Sequence, residues 1–349
     1  MTVELAPSAP LLLPFDGIEP RFGEGVRFIG PGASVLGRVE AGAHATIAGR
    51  AVLRGDGHSV RIGDGFFIGE MGTVHIAQGL YPAIIGDRVT VGRNAVVHAC
   101  TVGSDCVIED NTIILDGSVV EDGALIEADS TVFPKSKLGG GFVYAGTPAK
   151  PVRALAPREL EERAQRLRHA AQNTPACSGR SGGNVKAAAT AFIASTARLS
   201  GVIELEAGSS VFFGCDFDAG DSTIVIGENT NIQDNTQIYC GAEATIIGRD
   251  STLGHNVRLA SCWIGERALI GIGCVVAPGT IVEDDVMLAA GAVTLPGQKL
   301  ESGWLWGGRP ARPLSPLDDA KRAAMRTTVE HYCEYAQAYA RAQEHLADL

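Results

Sequence analysis

The aliphatic residues of this chain recur every six positions, a period that neither an α-helix nor an alternating strand can use. From Ile85 they run Ile85, Val91, Val97, Val102, Ile108, Ile114, Val120, Ile126 and Val132, with one step of five between Val97 and Val102. A six-residue period rich in β-branched residues fits a β-solenoid, in which each short strand ends in a tight turn. One aliphatic per hexad points into a narrow interior, and Gly, Asn and Asp supply the turns. Three hexads make one coil of about 18 residues, stacked on the next at about 4.8 Å. Glycine fills 44 of 349 positions, nearly twice ordinary usage, as such turns demand.

The pattern is written twice. Ile247, Leu253, Leu259, Ile264, Ile270, Val276, Val282 and Leu288 repeat the spacing, with the step of five again in place, 162 residues downstream. FVYAGTPAKPVRAL (142–155) precedes WLWGGRPARPLSPL (304–317) by the same interval. Further upstream the interval is 164, pairing Ile62-Gly63 with Ile226-Gly227, so one connection differs by two residues. A tandem duplication accounts for all of this. Helix-like stretches follow each copy at 157–172 and 316–347. The fold class expected is an all-β solenoid made of two tandem parallel β-helices, each followed by a C-terminal α-helix. The expected domains are 1–173, a linker at 174–189 and 190–349, with NTPACSGRSGGN (173–184) reading as a flexible connection.

A net charge of −11 argues against nucleic acid or an anionic membrane surface as partner. No apolar run approaches the roughly 18 residues of a membrane span. The start, MTVELAPSAPLLLPF, has no basic n-region and is not read as a signal peptide. Eight cysteines without a C-x-x-C pair read as small buried hydrophobes, and the expected location is the cytoplasm.

TVGRNAVVHAC (90–100) and TLGHNVRLASC (252–262) are nearly one phrase, yet their histidines differ: Arg93 and His98 in the first stand where His255 and Ala260 stand in the second. With the hexads, the slip beside His98, AVLRGD (51–56), YPAIIGD (81–87) and GTPAKPVR (146–153), the chain resembles γ-class carbonic anhydrases over residues 20–172 and 190–347. The resemblance implies a left-handed β-helix of triangular section, although the general crossover rule alone would favour the right hand. It also implies trimers with metal sites between subunits, one subunit giving the first and third histidines and its neighbour the middle one. In the first copy those slots hold His75, Arg93 and His98; in the second they hold Tyr239, His255 and Ala260. Neither copy is complete, but His75, His98 and His255 together would rebuild one site.

Other family positions divide the same way. Arg54 and Asp56 are kept in the first copy, where the second has Asp218 and Gly220. Asn231, Gln233 and Asp234 are kept in the second, where the first has Phe67, Gly69 and Glu70. By resemblance, Gln233 holds water or substrate, and Arg54, Asp56 and Asp234 form an ionic network across the interface. Glu70 and His58 are candidates for moving protons, while the family's acidic shuttle loop has no counterpart.

Three neutral imidazoles around zinc, with iron or cobalt as alternatives, leave a fourth position for water and lower its pKa toward about 7. The expected function is therefore a lyase hydrating CO₂, or acting on a small carbonyl compound or thioester. The expected partners are a small-molecule substrate and further copies of the chain, through interfaces between unlike repeats. Because unlike repeats cannot alternate around a ring of three, metal sites should be fewer than solenoids. Two other readings stand: a hexapeptide acyltransferase using acyl-coenzyme A, with no long loop interrupting a coil to favour it, and a non-catalytic assembly paralogue.

Overall fold

The computed structural model describes residues 9–172 and 182–347, which fall into two compact units on either side of the boundary between Cys177 and Ser178. The chain start (1–8) and residues 173–181, which include the first half of the expected linker (174–181), lie outside the described residues.

The first unit is a three-sided prism of stacked parallel strands. One face is an eight-stranded sheet that begins at Phe28–Ile29 and ends in the antiparallel pair Phe142–Gly146 and Ala149–Ala154. The other two faces share one twelve-stranded sheet, because the eleven-residue strand Val52–Ile62 turns a corner. Its first residues pair with Thr73–His75 and its last with Ala83–Ile85. The hexad aliphatics stack coil on coil: Val97 is in register with Val74 and Ile114, and Val102 with Ile85 and Val120. All nine lie in one buried cluster, none more than 3% exposed.

The second unit repeats the plan. Asp216–Ile226 turns the matching corner, pairing with Gln237–Tyr239 and then Thr245–Ile247. Its eight hexad aliphatics form a separate buried cluster.

Each corner needs a residue in the left-handed region, which is why Gly, Asn and Asp recur there. In the first prism Arg88, Asn94, Ala99, Asp105 and Asn111 all have φ between 48° and 58°. Their spacing carries the same step of five, so the slip is a shortened corner built on Ala99. Ser261, 162 residues on, has φ of 41° and makes the same corner in the second prism. The glycine that follows several of the aliphatics answers a different need. A Cβ on Gly63 would lie 2.7 Å from the backbone of Gly86 in the next coil.

Helix α1 (Glu159–Gln172) begins where the Glu159 carboxylate accepts the Ala156 N–H and a two-pronged contact from Arg153. Its apolar side, Leu160, Ala164 and Leu167, packs on Val107, Leu125 and Val143 of the first prism. Helix α2 (Asp319–Ala347) sets Tyr332 and Tyr339 edge-on against Phe212 of the second prism. Trp306 is buried in the last coil, with Nε1 donating to the Glu301 carbonyl. Burial pushes the thiols of Cys106 up to about 11 and Cys274 to about 12, so both serve as small hydrophobes. No helix among the described residues is long and apolar enough to cross a membrane.

One part of the expected linker is solenoid. Gly182–Ala187 forms a strand parallel to Arg198–Leu205, with Val185 in register with Ile203 and the Lys186 ammonium 3.0 Å from Glu204. The stretch sits one coil of 18 residues before its partner, and backbone pairing there outweighs a glycine-rich composition.

Prism stability should depend on which way a hexad side chain points. Ile114→Ala, in the core, is expected to cost about 2–5 kcal/mol. Val119→Ala, on the outer face at 37% exposure, should stay within about 0.5 kcal/mol of wild type. Urea unfolding of the two variants measures the contrast; equal losses would contradict the inward assignment of Ile114.

Candidate metal centre

In the first prism three residues share the corner between two faces. Arg54 and Asp56 lie on the long strand Val52–Ile62, and both side chains are fully buried, joined by a 2.6 Å contact from Nη1 to Oδ2. The other Asp56 oxygen is 3.0 Å from Nε2 of His75. His98 sits one coil along, in register with His75, and the two rings stand 5.3 Å apart at 60°. Nδ1 of His98 lies 2.6 Å from Oδ1 of Asp116. Burial raises the Asp116 carboxyl, but the His98 hydrogen bond and the two imidazoles outweigh it, and the net shift is downward.

In the second prism His255 is buried, with Nδ1 3.1 Å from Oδ2 of Asp234, within ion-pair distance but not aligned as a hydrogen bond as the other two pairs are. Oδ1 of Asp234 accepts the Phe213 N–H, which fixes the carboxylate. Gln233 is also buried. Its Nε2 donates to Asn231 (3.3 Å), which in turn donates to Thr252 (2.8 Å), holding the carboxamide in one orientation.

Each histidine thus faces an aspartate of its own prism through one ring nitrogen. This is how metal-binding imidazoles are commonly oriented, the carboxylate fixing the ring while the opposite nitrogen serves the ion. In such an arrangement His98 and His255 would present Nε2 to an ion, and His75 Nδ1. The pairs also come and go together along the duplicated sequence. The His98–Asp116 pair corresponds to Ala260 and Pro278, and the His75–Asp56 pair to Tyr239 and Gly220. The His255–Asp234 pair corresponds to Arg93 and Glu70.

Glu70 is half-buried. Burial pushes its carboxyl up from the usual range, while Arg93 and Arg50 pull it down, so a charge pair has replaced a histidine pair. Tyr239 is exposed and donates to Asp216 (3.1 Å). His58 accepts the N–H of Ser59 through Nδ1 (2.8 Å), which restrains its ring locally.

Asp116 was not among the residues singled out from sequence. It resembles the turn aspartates around it, and the signal that separates it is positional: it follows His98 by one coil.

Two family models match short stretches: the bacterial transferase hexapeptide (six repeats) over residues 261–295, and the hexapeptide repeat of succinyl-transferase over residues 82–116. The chain is 35% identical over 157 residues to γ-carbonic anhydrase 1, mitochondrial, of Arabidopsis thaliana, covering 43% of this chain. It spans only 57% of the length of that plant relative. It is 37% identical over 124 residues to protein YrdA of Escherichia coli, covering 33% of this chain and 67% of YrdA. A solved structure described as an acetyltransferase from Desulfovibrio desulfuricans G20 aligns over 91% of this chain and 81% of its own, at a TM-score of 0.55 and 11% identity. That match speaks to the fold alone.

Proposed function

Because the chain belongs to the γ-carbonic-anhydrase-like hexapeptide-repeat family, we propose that it is a metal-dependent lyase that hydrates CO₂ at a site shared between a first and a second prism. His75 and His98 come from the first prism and His255 from the second, each offering one ligand nitrogen. The observation that carries this reading is the fate of the three histidine–aspartate pairs: every histidine kept has its aspartate, and every histidine lost has lost it too. A carboxylate behind each imidazole is what a ring oriented toward an ion requires.

The donor set suits zinc, and equally iron or cobalt, since all three ligands are neutral imidazoles backed by carboxylates. When bound, such an ion lowers the pKa of a coordinated water to about 7, which supplies a nucleophile at neutral pH. The protein's own residues do the rest. Asp56, Asp116 and Asp234 hold the rings in the required tautomer. Arg54 neutralises Asp56, so a buried carboxylate can stay charged beside His75. Gln233, pinned by Asn231, orients water or CO₂ through its carboxamide. Glu70, half-buried with its carboxyl raised by burial against the pull of Arg93 and Arg50, is the candidate for moving a proton. Arg93 in the middle slot of the first prism repels a cation, so two first prisms do not make a site. A homo-oligomer with fewer metal ions than prisms follows.

Metal analysis with stopped-flow CO₂ hydration tests the proposal. About one zinc, iron or cobalt per chain is expected, with activity lost on chelation and regained on refilling. Metal-free protein that still binds coenzyme A would replace this reading with the acyltransferase; neither metal nor ligand would leave an assembly role.

Asp116→Asn should keep the fold but lower metal affinity by about 10–100-fold, because His98 loses its anchor. Competition against a fluorescent chelator reads this directly; unchanged affinity would remove Asp116 from the site.

A further inference from the structure

We propose that the cleft between helix α1 and the first prism binds a small phosphomonoester, with its phosphate between Arg27 and Arg168 and its organic part on the apolar floor. The cleft has a volume of about 640 Å³. Val107, Leu155, Leu160 and Ala164 line it, together with four arginines and three carboxylates.

Most charges there are already matched. Arg88 makes a two-pronged contact with Asp105 at 2.6 and 2.7 Å, and Arg158 pairs with Glu161 at 3.3 Å. Glu159 is taken by Arg153 and Arg163. Arg27 and Arg168 are different: neither has an ion-pair partner among the described residues. Arg168 is partly buried and gives Nε and one terminal nitrogen to the Thr90 hydroxyl and the Gly65 carbonyl. Its guanidinium carbon lies 5.4 Å above the Phe67 ring. Those contacts fix the side chain without neutralising it, and its second terminal nitrogen bonds no described acceptor. Burial, and then the positive charge of Arg27, lower its pKa. Two like charges held together with no counter-ion are an electrostatic cost that a bound dianion would remove. A guanidinium fork is also well matched to phosphate oxygens.

The second copy acts as an internal comparison. The positions of Arg27 and Arg168 are Ala191 and Glu330 there, and the corresponding cleft is smaller, about 230 Å³, with three carboxylates (Asp250, Asp285, Glu330) alongside three arginines, of which Arg267 and Arg322 pair with Asp285. The cationic pair therefore belongs to the first copy and is not required by the way a helix packs on a prism.

Calorimetric titration of the full chain with phenyl phosphate tests this. Saturable binding is expected, tighter than for inorganic phosphate because of the apolar floor, and absent for benzyl alcohol. Arg27 is exposed and outside the proposed metal machinery. Arg27→Ala should fold normally, keep its metal and bind phenyl phosphate about tenfold more weakly. Arg168→Lys, which keeps charge but loses the fork, should also weaken binding. No saturable binding of either phosphate, equal affinity for benzyl alcohol, or wild-type affinity in Arg27→Ala would each overturn the proposal.

Discussion

Replacing His255 by alanine is expected to empty the proposed metal site as completely as replacing His98, although the two residues are 157 positions apart and sit on different prisms. Removing an outer carboxylate from a metal-bound histidine costs about 10–100-fold in affinity, and removing the ligand itself costs more. Two remaining imidazoles and water do not make a competitive site for a transition-metal ion at cellular concentrations. Arg93→Ala is the informative control. Arg93 occupies the middle-ligand slot of the first prism, so if that prism worked only with its like, this residue would matter most. Instead its loss should leave metal content unchanged. Elemental analysis of the purified variants, with circular dichroism to establish folding, reads all three. A His255→Ala protein that keeps full metal and full activity would sink the shared-site proposal.

The architecture was legible because solenoid physics repeats itself. A buried aliphatic and a left-handed corner are required in every hexad, so Val97, Val102 and their kin announce themselves without any long-range information. Even the step of five was visible, and Ala99 and Ser261 give it a cause. What escaped were features that depend on a single placement. Gly182–Ala187 carries the glycine-rich composition of a linker, and only its 18-residue register with Arg198–Leu205 makes it a strand. The long corner strand Val52–Ile62 has no periodic mark, since a strand that serves two faces keeps neither alternation intact. Asp116 reads as one more turn residue, like Asp110 or Asp122, until its side chain is seen against His98. The site histidines stood out only through the comparison of two diverged copies and a family motif, because nothing in the hexad pattern distinguishes a ligand from a polar corner.

Arg54→Met should be the most damaging single change in the first prism outside its aliphatic core. Arg54 and Asp56 are both fully buried, so the pair carries a large desolvation cost that their mutual contact helps to offset. Removing the cation alone leaves a carboxylate in a dry corner beside His75, at an expected cost of about 3–5 kcal/mol. Asp56→Asn alone takes the carboxylate from the buried guanidinium and should be damaging as well. The double variant, Arg54→Met with Asp56→Asn, should recover a substantial part of the loss, because no uncompensated charge is left behind. That non-additivity, read by denaturant unfolding of metal-free protein, separates electrostatic pairing from simple packing. Metal affinity then divides the two roles further. The double variant regains stability but not affinity, since His75 has an amide where it had a carboxylate. If the double variant is as unstable as the sum of the singles, the pair does not act as a unit, and Arg54 holds the corner through its bulk.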